Sequence, residues 1–92
     1  MPDMTVFWRP GCGFCMRLER ELGRAGVEYR RRNIWEDDEA AAFVRSVNKG
    51  NETVPTVVIG DEYLTNPSAS TVLTKLGVEP PPSTGLGRLL GR

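Results

Sequence analysis

The pattern of apolar and polar residues along the chain predicts four strands and three helices. Short β-prone or apolar runs over Met4–Trp8, Val27–Ile34, Thr56–Ile59 and Glu62–Thr65 predict strands. Between and after these runs, apolar residues recur every three or four positions, which is the spacing of an amphipathic helix. The three helical stripes consist of Cys15, Leu18, Leu22 and Ala25; of Ala40, Phe43, Val44 and Val47; and of Ala69, Val72, Leu73 and Leu76. The predicted order of elements is therefore β-α-β-α-β-β-α.

Turn and capping residues predict where these elements end. Arg9-Pro10-Gly11 breaks the first strand, and Gly60-Asp61 turns the last two strands into a hairpin. Asn66 is expected to be the N-cap of the third helix and Pro67 its first residue, because both types favour those positions. Gly77 is expected to end that helix.

The connectivity predicts an α/β domain with a four-stranded mixed sheet and three main helices. A βαβ crossover is right-handed, so the first two strands should be parallel, and the hairpin adds two antiparallel strands. The second strand carries Arg30, Arg31 and Arg32, which suits a sheet edge. The run Thr56–Ile59 is almost continuously apolar, as expected of a central strand. This arrangement is the thioredoxin-like fold.

Composition excludes several classes of chemistry. A chain of 92 residues is expected to form one domain. It contains no His, which excludes Cys–His pairs, Ser–His–Asp triads and His-ligated metal sites. Two cysteines cannot close a four-cysteine zinc site in a monomer. The 12 basic and 12 acidic side chains balance, so no overall field favours nucleic acid or an anionic membrane. We therefore expect no metal, nucleic-acid or membrane partner.

The two cysteines, Cys12 and Cys15, form a C-x-x-C pair between a predicted strand and a predicted helix. A disulfide across so short a loop would stabilise the fold little, so the pair is predicted to be redox-active rather than structural. The N–H groups and dipole of a helix start favour a thiolate at Cys12, and Arg9 can add a positive charge. Cys12 is thus the predicted nucleophile, at a position where burial is not expected. Cys15 begins the apolar stripe, should be less exposed, and is the predicted resolving thiol.

The start of the chain predicts its location. Residues 1–4 have neither the basic nor the apolar region of a signal peptide, and no apolar run approaches the ~18 residues of a membrane span. We expect a cytoplasmic monomer, since transient catalytic disulfides belong in a reducing compartment.

Pro55 lies where the strand Thr56–Ile59 begins, a position that tolerates a residue without an N–H. A cis bond there would leave the N–H and C=O groups of Val54 able to pair with a bound peptide or thiol. An ordinary trans proline is the alternative, and cis bonds are the minority for proline in general.

Taken together, Cys12-Gly13-Phe14-Cys15 and Thr53-Val54-Pro55-Thr56-Val57 resemble the glutaredoxins over about residues 4–77. The resemblance implies a glutaredoxin-like domain over residues 1–78, a cis Pro55 and thiol-disulfide oxidoreductase activity. Residues 79–92 are predicted to be a Pro-rich spacer and a C-terminal tail. Glutaredoxins often have an aromatic residue before the nucleophile where this chain has Gly11, so Trp8 and an exposed Phe14 are expected to wall the substrate groove.

A narrower resemblance, to the mycoredoxins, covers residues 43–57 and 64–69. It implies reduction of mixed disulfides between mycothiol and protein cysteines, by a monothiol mechanism. Mycothiol would be the reducing co-substrate, S-mycothiolated proteins the partners, and no cofactor would stay bound. Many glutaredoxins hold glutathione with a Gly-Gly turn and Asp residues. This chain has Thr65, Asn66 and Ser68 there, whose neutral groups suit a sugar conjugate.

Two other functions fit the same motif. One is a dithiol redoxin reduced by thioredoxin reductase or glutathione, although the Trp-Ser-Gly-Phe-Arg-Pro stretch of such electron donors is missing. The other is a homodimer that carries a 2Fe–2S cluster through Cys12 and two external thiols. The colour of the purified protein would separate a cluster carrier from the enzymes.

Overall fold

A computed structural model describes residues 3–78. Its strands are β1 (Met4–Trp8), β2 (Arg30–Asn33), β3 (Thr56–Ile59) and β4 (Glu62–Thr65). Its helices are α1 (Gly13–Arg24), α2 (Asp38–Val47) and α3 (Ala69–Leu76). Over these residues the order of elements is the predicted one. The predicted spacer and tail, residues 79–92, lie outside the described residues.

The strands form one mixed sheet in the order β2-β1-β3-β4. β1 pairs in parallel with β2, and β3 is antiparallel to both β1 and β4. β2 is at an edge and β3 is inside the sheet, as predicted. Phe7 near the end of β1 lies opposite Thr56 at the start of β3, which lies opposite Thr65 at the end of β4. The segments after β1, before β3 and after β4 therefore meet at the same end of the strands.

The two faces of the sheet carry separate apolar clusters. Successive side chains of a strand point to opposite faces, so Val6 and Phe7 belong to different clusters. Val6 packs with the apolar stripes of α1 and α3, whereas Phe7 packs with α2 and stacks on Phe43 at 5.0 Å between ring centroids. Within residues 3–78, every buried side-chain nitrogen or oxygen has a hydrogen-bond partner. None of the helices described there is both long and apolar enough to cross a membrane.

β2 is shorter than the predicted run Val27–Ile34, because hydrogen bonds to α1 hold its first part. The N–H of Val27 donates to the carbonyl of Leu22 at 3.1 Å. The Tyr29 hydroxyl donates to Glu19 at 2.9 Å. Residues 27–29 therefore follow α1 before the chain joins the sheet.

α3 begins later than predicted. Its N-cap is Ser68, whose side chain accepts the N–H of Thr71, so the prediction of Asn66 as N-cap and Pro67 as first helical residue is wrong. Asn66 adopts a left-handed conformation with φ of 50°, and its N–H donates to the carbonyl of Pro55 at 2.7 Å. This contact holds Asn66 to the segment before β3, and the helix starts only at the next capping residue.

Candidate functional site

Three segments that are distant in sequence come together around Cys12, at the end of the sheet where β1 and β4 finish and β3 begins. Cys12 follows β1, Val54 and Pro55 precede β3, and Asn66 follows β4. The thiol of Cys12 faces the carbonyl oxygen of Val54, 3.8 Å from Sγ. The Asn66 N–H donates to the Pro55 carbonyl, which links the third segment to the second. The structure thus brings together residues that the sequence analysis selected from three separate motifs.

Cys12 is the N-cap of α1. Its backbone is extended, with φ of −92° and ψ of 106°, and its sulfur accepts the N–H of Cys15 at 3.1 Å. Gly11 makes the turn into the helix with a φ of +77°, a conformation that L side chains rarely adopt. The predicted placement of the sulfur at the helix start is confirmed, and an N–H of the first turn points directly at it.

Cys12 is more buried than expected. Its exposed fraction is 5%, so the expectation that this position would escape burial is wrong. The reason is the segment before β3, which brings the Val54 carbonyl against the sulfur from 42 residues away in the chain. Cys15 has no exposed surface and is the less exposed of the two, as predicted. Both cysteines are free thiols in this structure.

The environment of Cys15 keeps its thiol protonated. Burial, and then the hydrogen bond with Cys12, raises the pKa of Cys15 to about 12. At neutral pH Cys15 is therefore a neutral thiol, and nucleophilic attack needs a thiolate. The two cysteines are chemically unequal, with Cys12 at the helix start and Cys15 held as a thiol behind it.

The Val54–Pro55 peptide bond is cis, as the resemblance implied. The turn around it is held by Thr56, whose hydroxyl donates to the Thr53 carbonyl at 2.7 Å. Asn48 in turn donates its amide to the Thr56 hydroxyl at 3.1 Å and to the Val44 carbonyl at 2.8 Å. Sequence reasoning placed Asn48 only in a turn. The signal it missed is that Thr56, buried in an apolar strand, needs a polar partner.

Two of the three predicted sugar-binding side chains also serve the fold. The Thr65 hydroxyl donates to the Asn48 amide oxygen at 2.6 Å. The Ser68 hydroxyl accepts the Thr71 N–H at 3.2 Å and so caps α3. The side chain of Asn66 is exposed beside them and does not cap the helix. All three lie on the segment that borders Pro55.

Arg9, Phe14 and Trp8 are close to the helix start in sequence, and Trp35 lies against Arg9. Phe14 is 65% exposed, as predicted, and Trp8 is half-buried with the Arg31 guanidinium 4.3 Å from its ring centroid. Arg9 donates to the Pro10 carbonyl at 3.2 Å and lies 5.7 Å from the ring centroid of Trp35. Trp35 is 62% exposed and was not selected from the sequence, because a lone aromatic before an acidic run carries no motif.

The described part of the chain holds no group of three or more His, Cys, Asp or Glu side chains that could bind a metal ion. The chemistry that the arrangement offers is that of one thiol at a helix terminus, a second thiol behind it and a neighbouring backbone carbonyl.

Comparison with known proteins identifies relatives of this chain. The family model described as Glutaredoxin matches residues 4–64. A Mycobacterium tuberculosis protein named "Putative glutaredoxin" is 45% identical over 74 residues, which cover 79% of this chain and 88% of that protein. Mycoredoxin 1 of Corynebacterium glutamicum is 38% identical over 77 residues, covering 83% and 95%. Among solved structures, a thioredoxin-like protein aligns with a TM-score of 0.75 at 23% identity over 86% of this chain and all of that one, which supports the fold.

Proposed function

This chain belongs to the glutaredoxin family of thiol-disulfide oxidoreductases, and from that premise we propose that it reduces mixed disulfides between mycothiol and protein cysteines. The observation that carries the chemistry is the inequality of the two thiols. The Cys12 sulfur accepts a helix N–H, whereas the pKa of Cys15 is raised to about 12. Mycothiol is the proposed co-substrate because of the homology to Mycoredoxin 1 and the neutral side chains at 65, 66 and 68.

The first step is attack of the Cys12 thiolate on the mycothiol sulfur of a mixed disulfide. A bond forms between Cys12 Sγ and that sulfur, and the bond to the client cysteine breaks. The client leaves as a thiolate and takes a proton from water. Pro10, Gly11, Gly13 and Phe14 around Cys12 are exposed, so the client can approach over the helix start.

The second step restores the enzyme. The thiolate of a second mycothiol attacks the mycothiol sulfur bound to Cys12, forms mycothiol disulfide and releases Cys12 as a thiolate. Over the cycle the sulfur of the second mycothiol is oxidised and the client cysteine is reduced, while the sulfur of the first mycothiol passes from one disulfide to another. Cys15 is not required in this cycle, because its protonated and buried sulfur does not compete with the incoming thiolate.

Val54, Pro55, Thr65, Asn66 and Ser68 are the proposed substrate contacts. The Val54 carbonyl faces the reacting sulfur, and the segment after β4 borders Pro55. Thr65 and Ser68 keep lone pairs that can accept from hydroxyl groups even though they already take part in hydrogen bonds.

Arg9 and Phe14 are the proposed rim of the site, one supplying a positive charge and the other an apolar surface. Arg9 precedes Cys12 by three residues, and its guanidinium is at the surface beside Pro10. Phe14 lies two residues beyond Cys12 and is exposed.

Serine variants test the mechanism. Turnover is measured in an assay that couples the mycothiol disulfide produced to its reduction. In this assay Cys12→Ser is expected to abolish turnover, because no other thiol occupies the helix start. Cys15→Ser is expected to retain most of the wild-type kcat. If Cys15→Ser is as inactive as Cys12→Ser, the cycle is a dithiol one, and the proposed monothiol mechanism is wrong.

The co-substrate is tested by comparing kcat/KM on one client protein carrying either mycothiol or glutathione. Two or three additional hydrogen bonds, each worth about 0.5–1.5 kcal/mol, predict a preference for mycothiol of roughly tenfold to a few hundredfold. Equal values, or a preference for glutathione, would leave a glutaredoxin-type oxidoreductase without the mycothiol assignment.

S-mycothiolated proteins are the proposed partners, with the enzyme acting as a monomer in the cytoplasm. The cycle consumes reduced mycothiol, so it needs a reducing compartment. A monomer leaves the rim around Cys12 open to clients of different shape.

A further inference from the structure

A groove of about 450 Å³ lies between α1 and the start of α3. One wall is formed by α1 and the other by the segment that leads into α3. The lining side chains are Phe14, Arg17, Leu18 and Glu21 on the first wall, and Asn66, Pro67, Ser68, Ala69 and Ser70 on the second. Its volume falls within the ~300–1,000 Å³ typical of small-ligand sites. The mechanism above uses Phe14, Asn66 and Ser68 of this lining and gives no role to Arg17, Leu18 or Glu21.

Cys12 does not line the groove, but Asn66 on one wall and Phe14 on the other connect the groove to the reacting centre. Asn66, on the second wall, donates its N–H to Pro55, and the Val54 carbonyl faces Cys12 Sγ. Phe14, on the first wall, is two residues beyond Cys12. From Phe14 to Glu21 the helix advances about 10 Å, at 1.5 Å per residue. A molecule held by its sulfur at Cys12 can therefore extend along α1 for about the length of two sugar rings.

The α1 wall combines opposite charges that cancel. Arg17 Nε lies 3.6 Å from Glu21 Oε2, with exposed side-chain fractions of 73% and 44%. The guanidinium offers only donors and the carboxylate only acceptors, and a pair of neighbouring hydroxyl groups can bind both. The opposite wall adds the hydroxyl groups of Ser68 and Ser70. Such a lining suits a neutral polyhydroxyl ligand better than a peptide with charged ends.

We propose that this α1–α3 groove binds the glucosamine–inositol end of mycothiol, and that Arg17 and Glu21 determine the specificity for it. The inference rests on the proposed function, since it takes mycothiol as the co-substrate. The cysteine end of mycothiol lies at Cys12, the sugar rings lie along Phe14 and Leu18, and the ring hydroxyls bond to the Arg17–Glu21 pair.

The test compares two small thiols joined to one peptide, which is the leaving group in both reactions. A fluorescent client peptide is prepared as a mixed disulfide with mycothiol or with N-acetylcysteine, which lacks both sugar rings. The second-order rate constant for peptide release by excess reduced full-length protein is measured in a single turnover. The reacting atoms are the same, so the ratio of the two rate constants reports the sugar rings together with the neutral amide that N-acetylcysteine replaces by a carboxylate. The change of this ratio between wild type and a variant isolates the contribution of the groove.

Wild type is expected to react faster with the mycothiol disulfide. Arg17→Ala and Glu21→Ala are each expected to lower the ratio by about three- to tenfold, the equivalent of one hydrogen bond. Arg20→Ala is the matched control. It makes the same change on an exposed position of α1 that does not line the groove, and it should keep the wild-type ratio. Thermal unfolding followed by circular dichroism checks that all three variants remain folded.

The possible failures are distinguishable. If wild type prefers mycothiol to both glutathione and N-acetylcysteine, but Arg17→Ala and Glu21→Ala keep its ratio, the groove proposal is overturned and the proposed function stands. If wild type releases the peptide from both disulfides at the same rate, the sugar rings do not bind and the groove proposal is overturned. If wild type prefers the glutathione disulfide, the mycothiol assignment fails and the groove proposal fails with it.

Discussion

Cys12 and Cys15 lie in different environments although only two residues separate them. Cys15 has no exposed surface and its pKa is raised to about 12. We expect iodoacetamide at pH 8 to alkylate Cys12 in the native reduced protein while Cys15 stays unmodified. Peptide mass spectrometry over a time course measures both sites, with the protein unfolded in guanidinium as the control in which both react. Equal alkylation of the two sites in the native protein would contradict the asymmetry on which the mechanism depends.

The raised pKa of Cys15 also makes the reduced protein less stable in alkaline solution. In the unfolded chain a cysteine loses its proton near pH ~8.5. The folded protein holds the Cys15 proton until about pH 12. The unfolded state therefore binds fewer protons in this window, so the free energy of unfolding falls as pH rises. The contribution of Cys15 to the free energy of unfolding is fully present below pH ~8.5 and is lost as the pH rises through the pKa of the folded protein.

A Cys15→Ala variant isolates this contribution. Burial and the hydrogen bond with Glu19 also raise the pKa of Tyr29 to about 12. Tyr29 therefore lowers the free energy of unfolding over part of the same pH range, but it does so equally in both proteins. Urea unfolding at pH 8 and pH 10.5 should show a larger loss of stability in the wild type than in Cys15→Ala. The variant is less stable at pH 8 because it leaves a small cavity, so the pH-dependent difference is the informative quantity. If both proteins lose the same stability between pH 8 and pH 10.5, Cys15 has the same pKa in the folded and the unfolded chain, and the prediction is wrong.

At the scale of the elements, Asn48 joins α2, β3 and β4 behind the Val54–Pro55 turn. Its amide donates to Val44 and Thr56 and accepts from Thr65. Asn48→Ala leaves the buried Thr56 hydroxyl with fewer partners, so we expect a loss of about 1–3 kcal/mol in urea unfolding. It should also raise the KM for the mixed disulfide more than it lowers kcat, because the turn that faces Cys12 is loosened.

Asn51→Ala is the control for that substitution. Asn51 is exposed in the turn that follows α2, and within the described residues its side chain makes no hydrogen bond comparable to those of Asn48. Its loss should change stability by less than about 0.5 kcal/mol, as surface substitutions usually do. If the two variants lose the same stability, the network around Asn48 contributes nothing specific.

The sequence predicts the elements because their signals are local. Leu18 and Leu22 repeat at helical spacing and are buried as that spacing requires, and the polar strand with Arg30–Arg32 lies at the sheet edge. The start of α3 was misplaced because Asn66 and Ser68 are both good capping residues. Only the hydrogen bond from Asn66 to Pro55, eleven positions back in the chain, decides between them.

The site is predictable only in part, for the same reason. The C-x-x-C motif and the helix start place the Cys12 sulfur correctly, since both are local features. The burial of Cys12 depends on the Val54 carbonyl, 42 residues away, and the groove depends on how α1 packs beside α3. Such contacts follow from tertiary packing, which no spacing of residues along the chain reveals.

At the scale of the whole molecule, the last contacts of the described fold are made by Gly77 and Val78. Gly77 has a φ of 74° and closes α3, and the Val78 N–H donates to the Leu73 carbonyl at 2.9 Å. Val78 also packs against the core cluster of α1 and α3. A chain shortened after Val78 should therefore unfold at the wild-type temperature within about 2 °C and keep its activity, since a change of 1 kcal/mol shifts a domain of this size by ~4–8 °C.

A chain shortened after Leu76 is the matched comparison. It loses the cap and the Val78 packing, so its unfolding temperature should fall by about 5 °C or more. Differential scanning calorimetry measures both chains. A large loss in the chain that ends at Val78 would show that residues 79–92 belong to the domain rather than to a spacer and tail.

The capping of α1 by a cysteine links the reaction to the stability of the whole molecule. In most helices the N-cap is a chemically inert oxygen, but here it is the Cys12 sulfur, the atom that changes its bonding in each cycle. A sulfur within a disulfide is a poorer hydrogen-bond acceptor than a thiolate, so α1 loses part of its cap whenever Cys12 is in a mixed disulfide. In a closed thermodynamic cycle, the free energy of unfolding that is lost when the mixed disulfide forms equals the extra free energy that favours its reduction in the folded protein. With a cap contributing about 1 kcal/mol, the fold would favour reduction of the mixed disulfide by roughly 20 mV.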